Sequence, residues 1–176
     1  NDFKRKNILF LESLSKNMPA ISSVMYDRMK HHFDILLKTN QKNLHFDIFI
    51  GLLELFENLI PFCKCKDVIN PEKNFFDVLL VLAQDPKIMI EAMKCLSKLC
   101  KTEAFLHEHF ELLVEKIPPA FVTAVKNMRN SRDVKAAQLD FQLEVQCLIV
   151  ECVANLIVKK YEIDSKVITE SDEKLK

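Results

Sequence analysis

The chain has 176 residues, and its 25 Lys and Arg are matched by 25 Asp and Glu, giving a formal net charge of zero. That balance argues against a domain built around phosphate neutralisation, which rests on a basic surplus. A single glycine, Gly51, excludes phosphate-cradling loops, nucleophile elbows and dinucleotide fingerprints, which all need glycine where the backbone turns tightly or meets a ligand closely.

Apolar residues recur at three- and four-residue spacing almost throughout, the period of an amphipathic helix. The pattern predicts helices over residues 2–16 and 19–38, with Pro19 near the start of the second. Asn43 can cap a third helix that stops at Pro61. A loop over residues 62–72 carries Cys63, Cys65 and Pro71, and a fourth helix follows over 73–84. Asp85-Pro86 reads as an N-cap with proline at the first helical position of a fifth helix ending at Cys100. Thr102 is expected to cap a sixth over 103–116, and Pro118-Pro119 to open a seventh over 119–130. After a polar connection at 130–138, an eighth helix is expected over 139–160, and residues 161–176 read as a charged C-terminal tail. The expected domain is therefore residues 1–160, all-α, with about eight helices.

Three of these helices superpose on one another. Ile48-Phe49, Leu52, Leu55-Phe56, Asn58-Leu59 in the third matches Ile88-Met89, Ala92, Cys95-Leu96, Lys98-Leu99 in the fifth. Val145-Gln146, Ile149, Cys152-Val153, Asn155-Leu156 in the eighth repeats the pattern. Asn58 and Lys98 stand 40 residues apart, inside the window of HEAT and armadillo units. Lys98 and Asn155 stand 57 apart, which fits only if the polar connection is an insertion.

The run from Val145 to Leu156 resembles the last helix of an armadillo repeat, and Asp85-Pro86-x-Ile88 with Ala92, Cys95-Leu96 and Leu99 is similar to the run shared by HEAT and armadillo units. The resemblance covers roughly residues 43–160 and implies a right-handed α-solenoid of about three repeats whose third helices line a concave groove. Carried over residue by residue, it implies partner-binding positions at Glu54 and Asn58, Lys94 and Lys98, and Glu151 and Asn155. Each pair is four apart and shares a helix face. An asparagine amide there can bond both N–H and C=O of an extended peptide. The family's turn glycines are missing, and Glu54, Lys94 and Glu151 stand where import adaptors carry tryptophan, so a grip on import signals is not expected. The same six positions also fit ordinary solvated helix faces.

Other constellations point less far. Phe62, Phe75 and Phe76 flank the central loop and could anchor a partner or simply pack. Lys126, Arg129, Arg132 and Lys135 form a basic segment that could meet nucleic acid or an acidic partner, or remain a solvated helix end. Cys63-x-Cys65 lacks a second paired ligand set at zinc spacing, so no metal or cofactor is expected. The other cysteines lie in helical stretches and read as reduced core thiols, pointing to the cytosol or nucleus. No membrane span is expected, and the lack of an initial Met suggests part of a larger protein. The expected function is a non-catalytic scaffold that holds a peptide or helix of another protein. A nucleic-acid-associated module using residues 126–135, or a compact helical bundle, are the alternatives.

Overall fold

The structure is a computed structural model that describes residues 46–64, 68–69, 75–131 and 138–174, with the single positions Asp27, His31 and Ile35. The side chains of 46–49 and 166–174 are not described. The helix expected over 2–16, most of that over 19–38, and Arg132 and Lys135 of the basic segment lie outside the described residues. Asp27, His31 and Ile35 are helical.

Every extended element among the described residues is a helix. These are α1 (Phe46–Leu59), α2 (Phe75–Leu82), α3 (Met89–Lys101), α4 (Glu103–Asn130) and α5 (Leu139–Lys174), with a 3-10 turn at Ile60–Phe62 after α1. The third helix thus ends where Pro61 said it would, because proline there has no N–H to extend the ladder.

α3 is the hub. It packs against α1, the 3-10 turn, α2, α4 and α5. Its buried residues, Met89, Ile90, Ala92, Met93, Cys95, Leu96, Ser97, Leu99 and Cys100, run most of the way round the helix, as a helix enclosed by neighbours requires. On the flank facing α1, the Cys95 thiol donates to the Leu53 carbonyl at 3.3 Å. Burial pushes that thiol well above its ordinary pKa, so it is an inert core group. Cys100 meets Cys152 of α5 through a thiol hydrogen bond that, with burial, also raises its pKa. Both are fully buried.

Several chain signals act differently from expectation. Asp85 caps a turn rather than the helix: its Oδ1 accepts from the Lys87 N–H at 3.1 Å, and α3 begins only at Met89. Thr102 stands at the N-cap of α4 but makes no side-chain cap, because its hydroxyl donates back to the Lys98 carbonyl at 2.8 Å and closes α3. Pro118-Pro119 opens no new helix. α4 consists of two helical segments that meet at a kink at His109, at φ −131° and ψ 22°, and the second segment runs through both prolines. The carbonyls that Pro118 and Pro119 leave without a partner belong to Val114 and Glu115, both exposed residues, so water can satisfy them. Finally, the helix expected to end at Lys160 continues to Lys174, so most of the expected charged tail is helical.

Phe75 and Phe76 are not surface anchors. Both are buried, and the Phe75 ring meets Phe56 edge-on at 4.9 Å. They belong to the core that ties α2 to α1. Phe62 is half-buried. Cys147, read as a core thiol, is exposed.

α5 is long and apolar enough over Leu139–Ser165 to cross a membrane by length and composition alone. Within that span Val145, Cys152 and Leu156 are buried in the core, and Glu144 and Glu151 are paired to α3.

Candidate partner-binding cleft

The cleft is built where α3, α4 and α5 meet. Lys94, Ser97 and Lys101 recur at steps of three and four on α3, which sets them along one face. Glu144 and Glu151 recur at seven on α5, also along one face. The two rows meet. Lys94 pairs with Glu144 at 2.9 Å, Lys101 pairs with Glu151, and the buried Ser97 hydroxyl donates to the other Glu151 oxygen. Hydrogen bonds from Lys101 and then Ser97 hold the Glu151 carboxyl below the ordinary carboxylate range. Burial opposes the Lys94 charge, but its bond to Glu144 and the carboxylates of Glu91 and Glu57 outweigh that and raise its pKa.

Two of the six expected partner-binding residues, Lys94 and Glu151, are therefore occupied in fastening α3 to α5. On α1, Asn58 turns its amide back onto its own helix, donating to the Glu54 carbonyl at 2.8 Å, and Glu54 is exposed. Lys98 is half-buried on α3. The structure thus does not bring the six together as one polar row.

Asn155 differs from the others. It follows Glu151 by one turn, where α3 has ended at Lys101 and the chain turns through Thr102 into α4. A cleft of about 210 Å³ opens there, lined by Cys100, Lys101, Glu103, Leu106, Asn155 and Lys159 among others. The Asn155 amide nitrogen is buried and has no hydrogen-bond acceptor. Lys159 closes the far wall, pairing with Glu103 across to α4 and with Glu162 at 3.4 Å. Those bonds, the Glu103 bond first, raise the Lys159 pKa. Behind the wall of this cleft lies an unsatisfied amide donor enclosed from solvent, and the cations and carboxylates of the wall itself are already balanced. A wall of balanced charge suits a neutral group, such as a peptide backbone, rather than a free ion.

A second groove, apolar and about 270 Å³, lies between α4 and α5, walled by Phe110, Val114, Pro118, Val153, Leu156 and Ile157. Of the basic segment, Lys126 and Arg129 are exposed in the last turns of α4. Among the described residues no cluster of three His, Cys, Asp or Glu could hold a metal ion.

Sequence reasoning missed Ser97, Lys101 and Glu144 as partners of the expected residues. The signal was present as two rows of opposite charge on different helices, but nothing in one chain says which rows meet.

No protein-family model matches the chain, and no curated protein and no solved structure matches it.

Proposed function

We propose that the chain is a non-catalytic protein-interaction module that holds an extended segment of another protein at the cleft beside Asn155. The observation that carries this reading is the buried Asn155 amide, a donor with no intramolecular acceptor. Leaving such a group unmade costs about 1–3 kcal/mol, and a partner's backbone carbonyl would recover it once the side chains covering the nitrogen swing aside. In this reading α1, α3 and α5 are the third helices of armadillo/HEAT-like units in a right-handed solenoid. The side-by-side packing of α3 between α1 and α5 supports it. The balanced charges at the cleft favour a neutral or zwitterionic segment over a strongly charged one.

The test is selection of short peptides from a displayed library on the whole chain, followed by calorimetry. Asn155→Ala and Asn155→Asp both remove the donor, and each should weaken the selected peptide about tenfold, equivalent to about 1.4 kcal/mol. Unchanged affinity in both variants would remove Asn155 from the site. A second reading rests on exposed Lys126 and Arg129, which could face phosphate. It requires binding to a DNA or RNA oligonucleotide that collapses steeply with salt, whereas the peptide should respond mildly.

A further inference from the structure

α5 carries two faces, and the core uses only one. Opposite Val145, Cys152 and Leu156, the residues Leu143, Cys147, Val150, Ala154, Ile157 and Tyr161 all lie exposed. Val150 is 67% exposed, Ile157 63% and Tyr161 75%. Their spacing alternates strictly between four and three. That is the heptad seam of a coiled coil, an apolar stripe kept pointing at a partner helix. It is also why this helix looks membrane-like by composition while its other face packs on the core.

We infer that this seam pairs antiparallel with the same seam of a second copy of the chain. Three features choose that occupant. The first is size. With the two copies related by a two-fold axis through Cys152, the narrow residues Cys147 and Ala154 fall opposite the wider Ile157 and Val150. Leu143 and Tyr161, the largest, then close the ends against each other. A parallel pair would instead stack Ala154 on Ala154 and Tyr161 on Tyr161, leaving layers of unequal width. Self-complementarity about a two-fold axis is the commonest closed assembly.

The second is charge. The seam itself holds no Asp, Glu, Lys or Arg between Leu143 and Tyr161. The charges flanking it are already answered within the chain: Glu144 by Lys94, Glu151 by Lys101, and Lys160 by Asp164 at 3.3 Å. A second copy therefore meets a face without net field, and bringing two Glu151 side chains near the axis leaves neither unpaired. A charged partner would find nothing to read.

The third is area. Averaging about 100 Å² over the six positions, with Tyr161 and Ile157 above that and Ala154 and Cys147 below it, complete burial of both seams would remove at most about 1,200 Å² from water, the lower end of stable specific interfaces. Val153 and Ile157 also wall the apolar groove against Phe110, Val114 and Pro118, so the covered surface extends onto α4. This surface is separate from the Asn155 amide, and the inference stands whether or not a peptide binds there.

The experiment is sedimentation equilibrium on the full 176-residue chain from low to high micromolar concentration. The mass should rise from one copy to two. Val150→Glu, which buries two unpaired carboxylates per dimer, should weaken association at least about 100-fold. Circular dichroism should show its helix content unchanged, because the position is exposed. Ile157→Cys supplies a register readout that does not depend on that variant. Cys147 of one copy then faces the new thiol of the other, and mild oxidation should give a covalent dimer absent from the parent chain. Three outcomes would overturn the inference. One is a single copy at every concentration. Another is ready cross-linking of the parent chain through Cys147, which means parallel pairing. The last is binding of a monomer to phosphatidylcholine vesicles that Val150→Glu abolishes, which makes a bilayer the occupant.

Discussion

Ser97, buried in the middle of α3, donates its hydroxyl to the Glu151 carboxylate of α5, and the same carboxylate also pairs with Lys101 one turn along α3. This bridge fastens α3 to α5 one turn before the cleft, where α3 ends. Ser97→Ala should destabilise the fold by about 1 kcal/mol. Glu151→Ala should cost about 1–3 kcal/mol, because it leaves a buried hydroxyl unanswered. Urea unfolding of both single variants and the double variant measures the coupling, and additive effects would show that the bridge contributes nothing.

The same carboxylate sets a pH dependence. Its pKa is lower in the folded chain, held down by Lys101 and Ser97, so its contribution is present above the ordinary value of 4.5 and is lost as pH falls through the depressed value. Glu151→Gln should therefore flatten the acid limb of a stability-versus-pH curve below 4.5. At the basic end, Lys94 is raised above 10.5, so its contribution is complete below 10.5 and disappears as pH climbs through the raised value. Glu144→Gln should remove most of that alkaline loss.

Leu96 is completely buried in α3, whereas Val150 is largely exposed on α5. Leu96→Ala should cost about 2–5 kcal/mol, as for other enclosed leucines. Val150→Ala should stay within about 0.5 kcal/mol in dilute solution, where the chain is a single copy. Thermal unfolding at low concentration separates the two, and a comparable loss at both positions would contradict the burial pattern.

The thiols divide by burial. Cys95, Cys100 and Cys152 are buried, while Cys147 is exposed on the outer face of α5. An aromatic disulfide reagent followed by peptide mass analysis should modify Cys147 in the folded chain. It should leave the three buried thiols untouched until denaturant is added. Early labelling of Cys100 or Cys152 would mean that α3 and α5 separate readily.

Much of the helical architecture was legible because helix period and proline stops are local. The end of α1 at Pro61 and the burial of Leu96 follow from spacing alone. What failed were signals with two local meanings. Thr102 could cap the helix after it or close the helix before it, and packing at the junction chose the second. Pro118-Pro119 could begin a helix or sit within one, and the exposure of the carbonyl-bearing residues one turn earlier let the helix continue. At the candidate site, four-residue spacing puts Lys94 with Lys98 and Glu151 with Asn155 one helical turn apart. It could not say that another helix would take Lys94 and Glu151 while leaving the Asn155 amide without an acceptor. The outer seam of α5 was hidden for a related reason. An apolar residue reads as core until the structure shows that the core is already full on the opposite side.

The most direct measurement is amide-resolved NMR of the Asn155 side chain during titration with a peptide selected on the folded chain. The Asn155 side-chain amide resonances should shift downfield and saturate with the binding isotherm, as a donor gains a carbonyl acceptor. Resonances that stay fixed while the peptide binds would place the partner elsewhere and contradict the account of the cleft.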